Sequence, residues 1–97
     1  MLRQSTKSCV KKTKNFKIKN ATGLHARAAA AFVKVAKQFP AEISVKKGKL
    51  SVNGKSILGV LMLGAEQGQT IEIEAKGVQA QDALNQLGEL IEAGFHE

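Results

Sequence analysis

Phe16-Lys17-Ile18-Lys19-Asn20-Ala21-Thr22-Gly23-Leu24-His25-Ala26-Arg27 is where the period of the apolar residues changes, and that change decides the fold. Phe16 and Ile18 alternate with Lys17 and Lys19, the two-residue period of a strand buried on one face. Beyond Asn20-Ala21-Thr22-Gly23 the apolar residues Ala29, Phe32, Val33, Ala36 and the neighbouring Phe39 fall at helical spacing. Alanine is the best helix former, and Lys34 and Lys37 sit near the carboxyl end, where the dipole favours cations. Pro40 stops the helix.

Working outward, Ile43 and Val45 alternate with Glu42, Ser44 and Lys46, and Leu50 and Val52 with Lys49, Ser51 and Asn53. Lys47-Gly48 suits a hairpin turn between these two strands. Ser56 to Gly64 has a length that fits a buried strand or a short helix. The helix is favoured, because Ser56 is a good N-cap and the run is not dominated by β-branched residues. Thr70 to Ala75 alternates again, and Ala80, Ala83, Leu84, Leu87, Leu90 and Ile91 form a helical stripe closed by Gly94. The order is β-α-β-β-α-β-α, with every strand apolar on one face only. Such a pattern predicts an α+β fold, an open-faced and largely antiparallel sheet covered on one side by helices.

A chain of 97 residues allows one core and no second domain. Its net charge of +7 is unevenly spread: Arg3, Lys7, Lys11, Lys12 and Lys14 face no acid within residues 1–14, whereas residues 15–97 carry ten cations and eight acids. The basicity therefore reads as that of a flexible tail, residues 1–14, ahead of a domain spanning 15–97. The longest apolar run, Ala28 to Val33, is too short to span a bilayer, and the first residues lack the apolar segment of a secretory signal. Cys9 is the single cysteine and can form no internal disulfide, which fits a reducing cytoplasm.

His25 falls at or beside the N-cap of the first helix, where free backbone N–H groups and the positive dipole end accommodate an anion without a metal. Arg27 adds a guanidinium that can fork onto phosphate oxygens. An imidazole is a competent nucleophile near neutral pH, so a phosphoryl group could rest on it and leave again. A histidine at a helix start is more often a cap or a surface residue, and His96, at an end expected to fray, has no comparable neighbours.

GLHARAA together with NGKSILGV, at this separation and in this element order, resembles the histidine-containing phosphocarrier (HPr) family of the bacterial phosphotransferase system. The likeness runs from about Lys14 to the end of the chain. It implies a four-stranded antiparallel sheet with three helices on one face, an open-faced β-sandwich. By the same resemblance His25 takes phosphate at Nδ1 from phosphorylated Enzyme I, Arg27 helps hold it, and IIA-type components receive it. No cofactor or metal is implied, and the chain would be a monomeric stoichiometric carrier in place of an enzyme. The family usually has proline where this chain has Ala28. Alanine keeps the helix but restores a backbone N–H in its first turn, so transfer is expected to survive at an altered rate.

Ser56 as an N-cap is by default structural, worth about 1 kcal/mol. Its surroundings, Asn53 to Val60, are similar to the regulatory segment modified by HPr kinase/phosphorylase, which implies a second phosphorylation site there. Ile57 and Leu58 are adjacent, so at least one faces out. With Leu24, Leu61, Lys34, Lys37 and Lys55 they form the expected partner-binding surface, apolar contacts gripping while cations steer. Within the family, Phe32-Val33-Lys34 with Lys37 and Lys55-Ser56-Ile57 look like the sugar-transport carrier or a kinase-regulated hybrid, whereas Val60-Leu61-Met62-Leu63, Gln69 to Ala75 and Ala93 to Glu97 look like its nitrogen-branch paralogue. An RNA-binding module shares the element order, but it stacks bases on strand aromatics, and here the middle strands have none. Neither nucleic-acid binding nor membrane insertion is expected. A small acyl-phosphate hydrolase is the other rival, but no pocket-like set of polar residues surrounds His25 and Arg27.

Overall fold

The computed structural model describes residues 10–97. Its elements are β1 (Lys11–Lys17), α1 (Ala26–Ala36), β2 (Glu42–Lys47), β3 (Leu50–Asn53), α2 (Ile57–Met62), β4 (Thr70–Lys76) and α3 (Ala80–Glu92), followed by a single terminal turn, Gly94–His96. The four strands form one sheet in the order β1-β4-β2-β3, with every neighbouring pair antiparallel. All three helices lie on one face of it, as the single apolar face of each strand requires. Helix α3 packs on β1 and β4, while α1 packs on α2 and α3.

Ile43, Val45, Ile71, Ile73 and Ala75 point from the sheet into the core, where Phe32, Val60, Leu87 and Ile91 meet them, all buried. Each large apolar side chain so enclosed contributes about 1.5–3 kcal/mol over leaving it in water. The other face presents Lys11, Thr13, Asn15, Lys46, Glu72 and Glu74, paired across the strands without an aromatic among them. All four phenylalanines lie elsewhere: Phe16, Phe32 and Phe95 are buried and Phe39 is half-buried.

The boundary expected between residues 14 and 15 falls inside β1 and needs correction. Lys11 pairs with Lys76, Lys12 with Ala75 and Lys14 with Ile73, so these cations belong to the sheet. Residues 11–15 hold no apolar side chain, so alternation could not reveal a strand whose backbone is nevertheless ordered by its neighbour. Lysines along an edge strand also discourage pairing with other chains. The rest of the expected tail, residues 1–9, lies outside the described residues. Thirteen of the fifteen Lys and Arg lie among the described residues.

The loop from β1 to α1 is tied to the segment before β4. Ile18 N–H donates to Gln69 O at 2.9 Å, Gly68 N–H to Ile18 O at 2.8 Å, and Leu24 N–H to Ala65 O at 2.9 Å. Leu24 is thereby drawn into the core and is buried, which removes it from the expected partner surface. Gly23 makes that crossing possible: its φ is +68°, and a Cβ there would lie 2.5 Å from Ala65 O. We predict that Gly23→Ala destabilises the fold by about 2–4 kcal/mol, combining the left-handed penalty with a backbone clash that cannot relax. Urea unfolding measures this, and an unchanged midpoint would refute it.

Candidate functional site

His25 is the N-cap of α1, with extended backbone at φ −86° and ψ −173°. Its carbonyl accepts the first helical hydrogen bond, from Ala29 N–H at 2.8 Å. Its side chain makes no capping bond, and the first turn carries no acid. The N–H groups of the opening turn are thus left to an incoming anion. Ala28 sits in this turn with its side chain buried, so a proline there would give up no helical hydrogen bond but would have to fit against the core. Arg27 is exposed and, among the described residues, has no ion-pair partner.

The imidazole is 39% exposed and its Nε2 lies 2.7 Å from Oε2 of Glu97, the last residue of the chain. The expected frayed end is therefore replaced by an ordered one. Gly94 follows α3 with φ +64°, the left-handed closing residue its position suggested. Phe95 and His96 are left-handed as well, at +57° and +60°, a strain of about 1–2 kcal/mol per residue for non-glycines. Burial of the Phe95 ring offsets it. The turn delivers Glu97 to the loop ahead of α1. There Thr22 Oγ1 donates to Oε1 at 2.5 Å, and the amide of buried Asn20 donates to the same oxygen at 3.1 Å and to Gly23 O at 2.8 Å.

These hydrogen bonds, Thr22's foremost, then those from His25 and Asn20, lower the Glu97 carboxyl from 4.5 to about 2. A depressed carboxyl favours the folded chain above its unfolded value. The contribution of this network is therefore complete above about pH 4.5 and is lost as pH falls through about 2. The role of Glu97 is not legible in the sequence, because nothing in local spacing links this acid to a helix start 72 residues away.

Ser56 is the N-cap of α2, its Oγ accepting from Gly59 N–H at 3.1 Å. The turn before it is closed by Asn53 Oδ1 accepting from Lys55 N–H at 2.8 Å, and by Gly54 N–H donating to Ile43 O at 2.7 Å. A Cβ on Gly54 would lie 2.5 Å from Ile43 Cγ2, so the glycine is dictated by close approach. Both Ile57 (45% exposed) and Leu58 (68%) face out, joined by Met62 (64%) one turn further on. Met62 follows Leu58 by four residues, a spacing from which it could have been found. Leu61, expected on this surface, leans onto the core. Lys34 and Lys37 are exposed on α1. Lys55 is not a free cation, because its Nζ donates to Phe39 O at 2.7 Å beyond the end of α1.

Residues 12–93 match the family described as "PTS HPr component phosphorylation site". The chain belongs to the HPr family. Among curated relatives, the phosphocarrier protein HPr of Neisseria meningitidis serogroup A is 43% identical over 83 residues, 86% of this chain and 93% of that one. The phosphocarrier protein NPr of Shewanella violacea is 41% identical over 78 residues, 80% of this chain and 86% of its own. Among solved structures, HPr-C-His from Thermoanaerobacter tengcongensis superposes with a TM-score of 0.86 at 44% identity, covering 89% of this chain and 97% of that one. The four-stranded antiparallel sheet with three helices is that of HPr structures.

Lys55 separates a structural role from a docking role within this family site. We predict that Lys55→Ala lowers stability by about 1–2 kcal/mol through loss of the bond to Phe39 O, read by chemical denaturation. An unchanged stability would show that this bond carries no weight in the fold.

Proposed function

We propose that this chain is a stoichiometric phosphocarrier whose His25 accepts a phosphoryl group on Nδ1 from phosphorylated Enzyme I and passes it to IIA-type components. The observation that carries this reading is an uncapped helix start presenting a half-exposed imidazole, in a chain of the HPr family. The Nδ1 lone pair forms the new N–P bond while the donor's bond to phosphorus breaks, its pair returning to the donor. The first-turn N–H groups and the Arg27 guanidinium bind the phosphoryl oxygens without a metal. No turnover is assigned to the chain alone, and we place it in the cytoplasm as a monomer.

Ile57, Leu58 and Met62 supply an apolar contact area, and exposed Lys34 and Lys37 supply steering for acidic partner surfaces. Ser56 is the proposed target of HPr kinase/phosphorylase, a phosphate there facing the positive end of α2. The nitrogen-branch role is the second reading, favoured by the likeness to an NPr. An RNA-binding role is disfavoured by an outward sheet face without a stacking ring.

Incubation with phosphoenolpyruvate and Enzyme I should add one phosphoryl group to the intact mass of the wild type and none to His25→Ala. Absence of the gain in the wild type would sink the carrier reading, unless Ala28→Pro restores it and so shows Ala28 to be disabling. In a separate experiment, HPr kinase/phosphorylase with ATP should modify the wild type and leave Ser56→Ala untouched. Equal modification of the two would move the regulatory site elsewhere.

A further inference from the structure

We propose that the terminal side chain, Glu97, is a positioning residue for phosphoryl transfer: its carboxylate holds Nε2–H of His25 and so fixes Nδ1 as the nucleophilic nitrogen. The inference rests on His25 being the phosphoryl acceptor. A carboxylate can only accept hydrogen bonds, so at 2.7 Å from Oε2 the Nε2 atom must carry its proton. In the neutral ring the lone pair then sits on Nδ1 alone.

The same contact serves the loaded state. When the Nδ1 lone pair bonds to phosphorus and the donor's bond breaks, Nε2 keeps its proton and the ring becomes formally cationic. The Glu97 carboxylate lies directly against that charge. On transfer to the acceptor the N–P bond breaks and its pair returns to Nδ1, with Nε2 still protonated. No proton moves in either direction, so the ring is ready for the next cycle.

The fold goes out of its way to bring this group in. Three consecutive left-handed residues, Gly94, Phe95 and His96, turn the chain back, with Phe95 buried as an anchor. Thr22 and Asn20 then hold Oε1, which leaves Oε2 for the imidazole. Glu97 touches the acceptor ring and, on this account, orients and balances it without exchanging a proton.

The protein and its Glu97→Ala and Glu97→Gln variants should be compared in two measurements. Nitrogen-15 spectra of the histidine rings in alkaline solution should show Nε2–H alone in the wild type and a mixture of tautomers in Glu97→Ala. The rate of phosphorylation by Enzyme I at saturation should fall roughly tenfold in Glu97→Ala, the equivalent of one such hydrogen bond, with KM little changed. Glu97→Gln, which keeps the shape, guards against a folding defect and should fall between the two. Unchanged rates in both variants overturn the proposal, and so does a rate loss with unaltered ring spectra, which would mark Glu97 as merely structural. A wild type that takes up no phosphoryl group at all would instead overturn the carrier reading on which the proposal rests.

Discussion

Burial of the inner face of the sheet sets the conditions for everything else in this chain. Ile71, Ile73 and Ala75 of β4 occupy the middle of that face, flanked by Phe16 on one side and by Ile43 and Val45 on the other. Their apolar surface must be covered from one side only, because the alternate residues are polar and face water. Helices α1 and α3 supply the cover through Phe32, Leu87 and Ile91. With the helices held there, both the start of α1 and the end of α3 are brought to the loop that leaves β1.

At that meeting point each backbone peculiarity serves placement of the imidazole. Gly23 passes under Ala65 O in a left-handed conformation and lets Leu24 turn inward, so that His25 turns outward. Asn20 ties the loop to itself through Gly23 O and to the chain end through Glu97. The strain of the terminal turn is local, whereas the Phe95 burial that offsets it belongs to the common core. The histidine is therefore held through a network anchored in three separate parts of the chain.

The second helix shows a division of labour on a smaller scale. Val60 enters the core while Ile57, Leu58 and Met62 remain outside, as a six-residue helix with one buried side must leave them. Ser56 closes its start, and Lys55 reaches across to Phe39 beyond the end of α1. This couples the exposed apolar residues to the helix that begins at His25. A partner resting on Leu58 would thus sit on a support continuous with the proposed phosphoryl site.

Local patterning was enough to establish the element order, the one-faced strands, the helix starting beside His25 and the cap at Ser56, because those features follow from residues two to four positions apart. Lys11 to Asn15 escaped it, since their strand character comes from hydrogen bonds to β4 and not from any apolar pattern of their own. Leu24 and Leu61 looked like surface contacts and proved to face the core, because which side of a turn a leucine takes is settled by what packs beneath it. Glu97 was invisible for the strongest reason: its partners are 72 to 77 residues away in the chain. The sequence by itself determined the architecture and singled out His25 as the proposed phosphoryl acceptor. Only the tertiary structure decided which carboxylate meets its ring, because that choice depends on where two distant chain segments are carried by the packing of α1 and α3 on one sheet.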